Sequence, residues 1–360
     1  MLSCTDIGLN WIILSISMAR RICILFALLF GFTLTVKAQL SQFQALHVSA
    51  ANEGLAAVTT NAAGDLIAAG VTDEGGTSDI FVTTIDNNAQ TTFTQRYDFA
   101  GAQDTAFGIV TMDNGSYTIA GHSWNGANQQ VVVFNIDPSG TVNWTYTYEN
   151  FRLGTDPLLH TANDEVVISG YGLDDNGCGG IGCRDFAAIR LDNVGTEIFN
   201  VQHNIVQDGQ DQANTAVEVG TRLLLLGTSN PLSVVGTAGT ILEIDPATGA
   251  AIGSGEVYRN AAGISVEFQS AVVRADQPNN LIIAGVTTTN AGVDEGIIFD
   301  VNTVSFNPIT SSTYGFAPDN LVQTRVVNTG PSDYVTVNAV SAGATEYLQV
   351  NGFTRSGASF

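Results

Sequence analysis

LIAAG (Leu66–Gly70), YTIAG (Tyr117–Gly121), VVISG (Val166–Gly170), LLLLG (Leu223–Gly227) and LIIAG (Leu281–Gly285) are five versions of one short apolar segment ending in glycine. The glycines lie 51, 49, 57 and 58 residues apart, and a weaker sixth copy, YVTVN (Tyr334–Asn338), ends 53 residues after the last. A second marker keeps step with the first. Apolar segments close on an acidic residue in IFVTTID (to Asp86), VVVFNID (to Asp137), FAAIRLD (to Asp192), TILEID (to Asp245) and GIIFD (to Asp300), with YLQVN (to Asn351) as the last copy. Their intervals are 51, 55, 53, 55 and 51 residues. Two markers holding one period make this a repeat protein, each repeat a supersecondary unit that must stack on its neighbours to bury its apolar faces.

Most periods hold two further segments of strand character. One is amphipathic and aromatic: FTQRYDF (Phe93–Phe99), VNWTYTY (Val142–Tyr148) and EIFNVQH (Glu197–His203). The other follows a polar turn: DTAFGIVTM (Asp104–Met112), ANTAVEV (Ala213–Val219), ISVEFQSAVV (Ile264–Val273) and NLVQTRVV (Asn320–Val327). Four short strands with Asn, Asp and Gly turns fill one period and make one blade of a β-propeller. The first two strands are almost wholly apolar, so both faces of each small sheet need cover, and stacking blades around an axis supplies it. The small residues beside the repeat glycine (Ala69, Ala120, Ser169, Ala284) suggest that this strand is the innermost, where space is tightest.

The expected fold is therefore all-β, a propeller of about six four-stranded blades. Phe43 to Thr60 reads as strands three and four of a blade, and the C-terminal Tyr334–Asn338 and Tyr347–Asn351 as strands one and two. A closing blade shared between the N- and C-terminal strands follows. A linear β-solenoid and a two-sheet sandwich are the alternatives.

Ahead of the repeats, residues 1–38 read as a signal-peptide region. Arg20-Arg21 precede the apolar run Ile22–Val36, too short to span a bilayer, and Val36-Lys37-Ala38 offers small residues for cleavage before Gln39. Met18 is the alternative start. Residues 39–360 are then a single propeller domain, secreted, periplasmic or on the cell surface. That mature chain has nine arginines, no lysine and 33 acidic residues, a net charge of −24. Such a surface repels nucleic acid and anionic membranes. It leaves an extracellular protein or glycan as the expected partner, with no membrane span.

Cys178 and Cys183 are the only cysteines of the mature chain and flank Gly179-Gly180-Ile181-Gly182. In an oxidising compartment a local disulfide between them is the expectation. Next to them, Asp174-Asp175-Asn176-Gly177 is the densest acidic loop, and Asp174 and Asp175 are the residues that suggest a metal, calcium, which takes about six or more oxygens. An Asx-rich turn explains the same residues.

The order apolar-Ala-Gly, apolar-x-apolar-Asp, then Asp137-Pro-Ser-Gly140 leading to Trp144, resembles the SBBP-type and quinoprotein-like propeller repeats of secreted bacterial proteins. The resemblance covers most of residues 43–351 in short motifs and implies an architecture without an activity. Asp245-Pro-Ala-Thr-Gly249 is similar to a quinoprotein turn, yet the lysine and tryptophan that follow in that family are missing, as is its vicinal cysteine pair. No cofactor is expected on these grounds, calcium aside.

His47, His122, His160 and His203 are scattered at no ligand spacing and have no carboxylate partner evident in the sequence. Trp124, Trp144, Tyr146, Tyr148 and Tyr171 offer either a sugar-stacking face or packing between blades, and packing is the simpler reading. There is no G-x-S-x-G, H-E-x-x-H or phosphate-binding glycine loop. A secreted, non-enzymatic binding propeller for a protein or carbohydrate is the leading functional expectation. The alternatives are a polysaccharide hydrolase or lyase using acidic loop residues, and a repeat segment of a surface or adhesion assembly. Paired carboxylates near the axis would favour catalysis, and a small, apolar channel mouth would favour binding.

Overall fold

The structure, a computed structural model, describes residues 53–354 apart from loop residues 74–75, 89, 100, 102, 125, 127, 175–182, 207–208, 232–235, 260–264, 289–291, 316–319, 329–332 and 343–344. All described regular elements are strands, and consecutive strands pair antiparallel into six units. The first unit holds β1 (Glu53–Thr60), β2 (Leu66–Thr72), β3 (Asp79–Ile85) and β4 (Thr91–Tyr97). The second holds β5 (Asp104–Thr111), β6 (Tyr117–Trp124), β7 (Gln129–Ile136) and β8 (Val142–Tyr148), and the third β9 (Phe151–His160), β10 (Val166–Asp174), β11 (Cys183–Leu191) and β12 (Glu197–His203). The fourth holds β13 (Gly209–Val219), β14 (Arg222–Pro231), β15 (Ala238–Ile244) and β16 (Ala251–Tyr258), and the fifth β17 (Val266–Val273), β18 (Asn280–Thr288), β19 (Asp294–Asn302) and β20 (Pro308–Tyr314). In the sixth, β21 (Asn320–Asn328), β22 (Asp333–Ala342) and β23 (Thr345–Thr354) are described. The third and fourth units are joined by parallel bridges, Thr215 to Asp156 and Arg184 to Gln210.

The first strand of each unit packs against the first strand of the next, from β1 through β5, β9, β13 and β17 to β21. These strands surround the axis, and the last strands, such as β8 and β16, are largely exposed. The expectation that the LIAAG-type strand is innermost is thereby corrected. It is second from the axis, and the innermost strand is the one that follows the polar turn.

A bulge explains the glycine period better than crowding at the axis does. In β1, β5, β13 and β17 the register slips by one residue opposite the repeat glycine, at Leu55/Ala57, Ala106/Gly108, Ala213/Thr215 and Phe268/Ser270. The bulge presses a carbonyl of the inner strand onto the glycine. A Cβ on Gly227 would lie 1.8 Å from Gln212 O, and one on Gly285 2.0 Å from Glu267 O. Gly227→Ala should therefore destabilise the fold by about 3 kcal/mol, read as a lowered urea midpoint with unchanged m-value. The same register moves the sixth copy by two residues. Leu321 faces Val340 across the slip, so Val340 holds the glycine position, not Asn338.

The acidic marker has its own cause. Asp86, Asp137, Asp192 and Asp245 each accept two backbone N–H bonds from the turn that follows, for example Val194 N at 3.0 Å and Thr196 N at 2.7 Å on Asp192 Oδ1. These bonds favour the charged form and hold Asp86, Asp137 and Asp245 below the usual carboxylate range, Asp137 chiefly through the Ser139 hydroxyl. In the fifth unit this role falls to Asn302, which accepts from Val304 N and Ser305 N. Asp300, the expected marker, is instead fully buried and paired with Arg274.

The N-terminal expectation also needs correction. Residues 53–60 do not serve the closing blade: β1 is hydrogen-bonded to β2 as the inner strand of the first unit. Residues 43–52, the rest of that expectation, lie outside the described residues, as do residues 1–38 and His47. No helix among the described residues is long and apolar enough to cross a membrane.

Candidate functional site

Two of the cavities among the described residues border the innermost strands, and the first is lined by both β1 and β21. Its walls are Leu55–Val58 of β1, Gln323 and Arg325–Val327 of β21, Val337 and Ala339 of β22, and Asp156 of β9, around about 490 Å³. Leu55, Val58, Val327 and Val337 are 36–54% exposed, an aliphatic lining left in contact with solvent.

The polar end of this cavity is built by a strand that does not read as one in sequence. In β9, Leu153 faces Gly170 and Leu158 faces Ile168, so residues 154–157 bulge opposite Ser169 alone. Gly154 permits this: a Cβ there would lie 2.4 Å from Ala213 O. Pro157 donates no ladder hydrogen bond and suits a bulge. The bulge carries Thr155 and Asp156 toward the axis. Asp156 Oδ2 accepts from Ser270 Oγ at 3.2 Å, and Asp156 Oδ1 lies 3.7 Å from Arg325 Nη1. Arg325, on β21, donates from Nη2 to Thr155 O at 2.9 Å, a contact between residues 170 positions apart. One guanidinium thus crosses the axis from the sixth unit to the third. At about 30% exposure on both sides the ion pair is worth about 1 kcal/mol or less, so it positions charge more than it stabilises the ring.

The second cavity, about 390 Å³, lies between the fifth and sixth units and is lined by Glu267, Gln269, Val286, Thr288, Asp294, Leu321, Val322 and Ser341. Burial raises the Glu267 carboxyl above its usual range, and the negative charge of Asp294 pushes the same way. Asp294 itself accepts from Thr288 Oγ1 at 2.7 Å. A carboxyl tuned upward next to a second carboxylate is the arrangement from which acid–base pairs are made.

The residues singled out in sequence fall elsewhere. Asp174 ends β10, while Asp175 and Cys178 lie outside the described residues; Cys183 is 1% exposed at the start of β11. His122 is buried between the second and third units, accepts the Leu153 N–H at 3.2 Å through Nε2, and sets its ring 4.7 Å from that of Phe107. Burial, and then the charge of Arg152, lowers its pKa to about 4. His203 contacts Gly249 O at 2.9 Å, and burial lowers it as well. His160, for which no carboxylate partner was expected, has Asp164 at 3.1 Å and Asp113 at 3.8 Å. That group is already occupied: Asp164 also accepts the Asp113 N–H and the Asn193 amide, which ties neighbouring turns together.

Of the aromatic residues, Trp144 and Tyr146 pack between units. Trp144 donates to Asn193 O at 3.0 Å and covers Gly195, and the Tyr146 hydroxyl meets Glu197 of the next unit. Tyr171 lies under the Arg184 guanidinium at 4.6 Å, and Trp124 is 43% exposed at the end of β6. No shared stacking face results from these positions. Sequence reading missed Asp156, Arg325, Glu267 and Asp294, because their meaning lies in contacts between strands far apart in the chain. The available signal was the Gly154 and Pro157 pair, which interrupts the strand Phe151–His160.

No protein family matches the sequence, and no curated protein matches it. Among solved structures, the Hadza microbial sialidase Hz136 is similar over 79% of this chain and 63% of its own, with a TM-score of 0.51 and 11% identity. The β-propeller domain of the Trilobed protease from Pyrococcus furiosus is similar over 84% of this chain and 83% of its own, at a TM-score of 0.49 and 8% identity. A subtype N10 neuraminidase-like protein of A/little yellow-shouldered bat/Guatemala/060/2010 gives 0.48 and 10% over 82% of this chain and 92% of its own. The chain spans under two thirds of the length of the sialidase, and identities this low concern the fold alone. They give no support to the SBBP-type or quinoprotein-like families in particular. By strand order and by the sialidase likeness, the chain has the fold of a β-propeller.

Proposed function

We propose that this protein is a secreted binding propeller that takes a protein ligand, an aliphatic side chain beside a polar or charged group, into the cavity between β1 and β21. One observation carries the reading: four partly exposed aliphatic residues, Leu55, Val58, Val327 and Val337, converge on a single cation and a single carboxylate, Arg325 and Asp156. A cavity of that size with apolar walls and few polar groups is the general form of a ligand site. A carbohydrate is the weaker fit, because the described lining has no aromatic ring for a sugar to stack on. Residues 43–52 are proposed to complete the last unit beside β23, and Cys178 and Cys183 to pair within their loop.

A second reading has its own support. Glu267 and Asp294 line the other cavity with one carboxyl raised by burial, which suits a polysaccharide hydrolase or lyase working by acid–base chemistry. Peptide and glycan arrays, with a turnover assay on polysaccharides, separate the two. The expected result is peptide binding without turnover, weakened about tenfold or more by Leu55→Asp and by Val327→Asp, since each places a charge against apolar ligand surface. Both residues are exposed, so the variants should fold. Turnover that Glu267→Gln abolishes would replace the binding reading with the enzymatic one.

A further inference from the structure

We propose that the junction of the first two units is a divalent-cation site, most suited to Ca²⁺, held by Asp79, Asp98 and Asp104. Three strand ends meet there: Asp79 begins β3, Asp98 directly follows β4, and Asp104 begins β5. Antiparallel alternation puts the start of β3, the end of β4 and the start of β5 at one end of the ring. One carboxylate oxygen from each residue lies within 4.8 Å of the others.

Independent of the clustering, two of these carboxylates lack partners they need. Asp79 is 1% and Asp104 0% exposed, yet Asp79 Oδ1 and Asp104 Oδ1, both shut off from solvent, accept no hydrogen bond. Their other oxygens are engaged: Asp79 Oδ2 lies 3.0 Å from Arg96 Nε, and Asp104 Oδ2 accepts the Phe99 N–H at 2.5 Å. The Ser123 hydroxyl beside Asp104 donates to Phe99 O at 2.8 Å. Buried carboxylate oxygens without a donor are costly, and a cation removes that cost.

Charge leads to the same ion. Three carboxylates against the one guanidinium leave two negative charges uncompensated, the charge of one divalent cation. Asp98 is exposed and gives Oδ1 to the Gly101 N–H at 2.9 Å, so its other oxygen can face an ion. An oxygen-only set on three chain segments suits the irregular shell of Ca²⁺ better than the strict octahedron of Mg²⁺. The order recurs two repeats later as Asp185, Asn204 and Asp211, with an amide replacing the middle carboxylate. That second set has less charge to neutralise and should bind the ion less well.

The test is calcium titration of the mature chain by calorimetry, with thermal unfolding in excess Ca²⁺, in Mg²⁺ and in EDTA. A dissociation constant on the order of 10⁻⁴ M or below is expected, with a rise of about 4 °C or more in unfolding midpoint at saturating Ca²⁺. Asp98→Asn, which keeps size and exposure, should weaken this binding about tenfold while folding normally in EDTA. Asp113→Asn and Asp174→Asn should leave it unchanged. The proposal is overturned if Ca²⁺ and EDTA give the same midpoint, or if Asp98→Asn binds as tightly as the parent.

Discussion

Replacing Arg274 with methionine should cost about 3–5 kcal/mol of folding stability. Arg274 is 1% exposed in the turn between β17 and β18. Its Nη1 meets Asp300 Oδ2 at 2.8 Å, its Nε meets Asp276 Oδ1 at 2.9 Å, and its Nη2 also contacts Asp276. Asp300 is 0% exposed, so methionine at 274 removes the guanidinium that meets its Oδ2 and leaves the carboxylate in the interior without that opposite charge. The cost arises from leaving a buried carboxylate without its guanidinium more than from the worth of the pair. Arg274→Met combined with Asp300→Asn should therefore recover at least half of the loss. Urea unfolding of the parent and the two variants checks both statements. A single-variant loss below about 1 kcal/mol would show that water reaches the site.

The second large effect concerns pH. His122 is neutral and buried, its pKa lowered from an ordinary 6.5 to about 4. Between those values the unfolded chain holds a proton on this residue and the folded chain does not. Stability from His122 is thus complete above about pH 6.5 and is lost as pH falls toward 4, by up to about 3 kcal/mol. His203, lowered by burial, acts with the same sign. Asp79, Asp104 and Asp211 act oppositely, since their raised carboxyls bind protons more readily in the folded chain. The clean measurement is a difference. Urea midpoints at pH 7.5, 5.5 and 4.5 should fall more steeply for the parent than for His122→Gln, which keeps an acceptor for the Leu153 N–H. Parallel slopes would mean that the imidazole is reached by solvent.

These two sites mark the limit of what was legible in the residues. Arg274 attracts no notice in the sequence, and its partner Asp300 was assigned the role that Asn302 fills two positions later. Local hydrogen bonding explains the near miss: both residues end the same apolar run, and only the turn geometry shows which one caps it. His122 lies directly after a repeat glycine, and its depressed pKa arises from Leu153, Phe107 and Arg152, residues of other strands. Asp156 stayed hidden for a related reason. Its strand is interrupted by a bulge between Gly154 and Pro157, which removes the alternation that identifies strands in sequence.

The sequence by itself determined the repeat, its period, its all-β character and the polar turns, because strand alternation, turn chemistry and the glycine at each bulge are local requirements written into every copy. It also determined the strong negative charge of the chain, −22. Only the tertiary structure decided which strand lines the axis, which repeat position Val340 holds, and which charges meet. Those outcomes depend on register and on contacts such as Arg325 with Thr155, made by residues 170 positions apart, and no local rule relates the two. The candidate ligand and ion sites lie in such contacts, since the junctions between units exist only once the chain has folded.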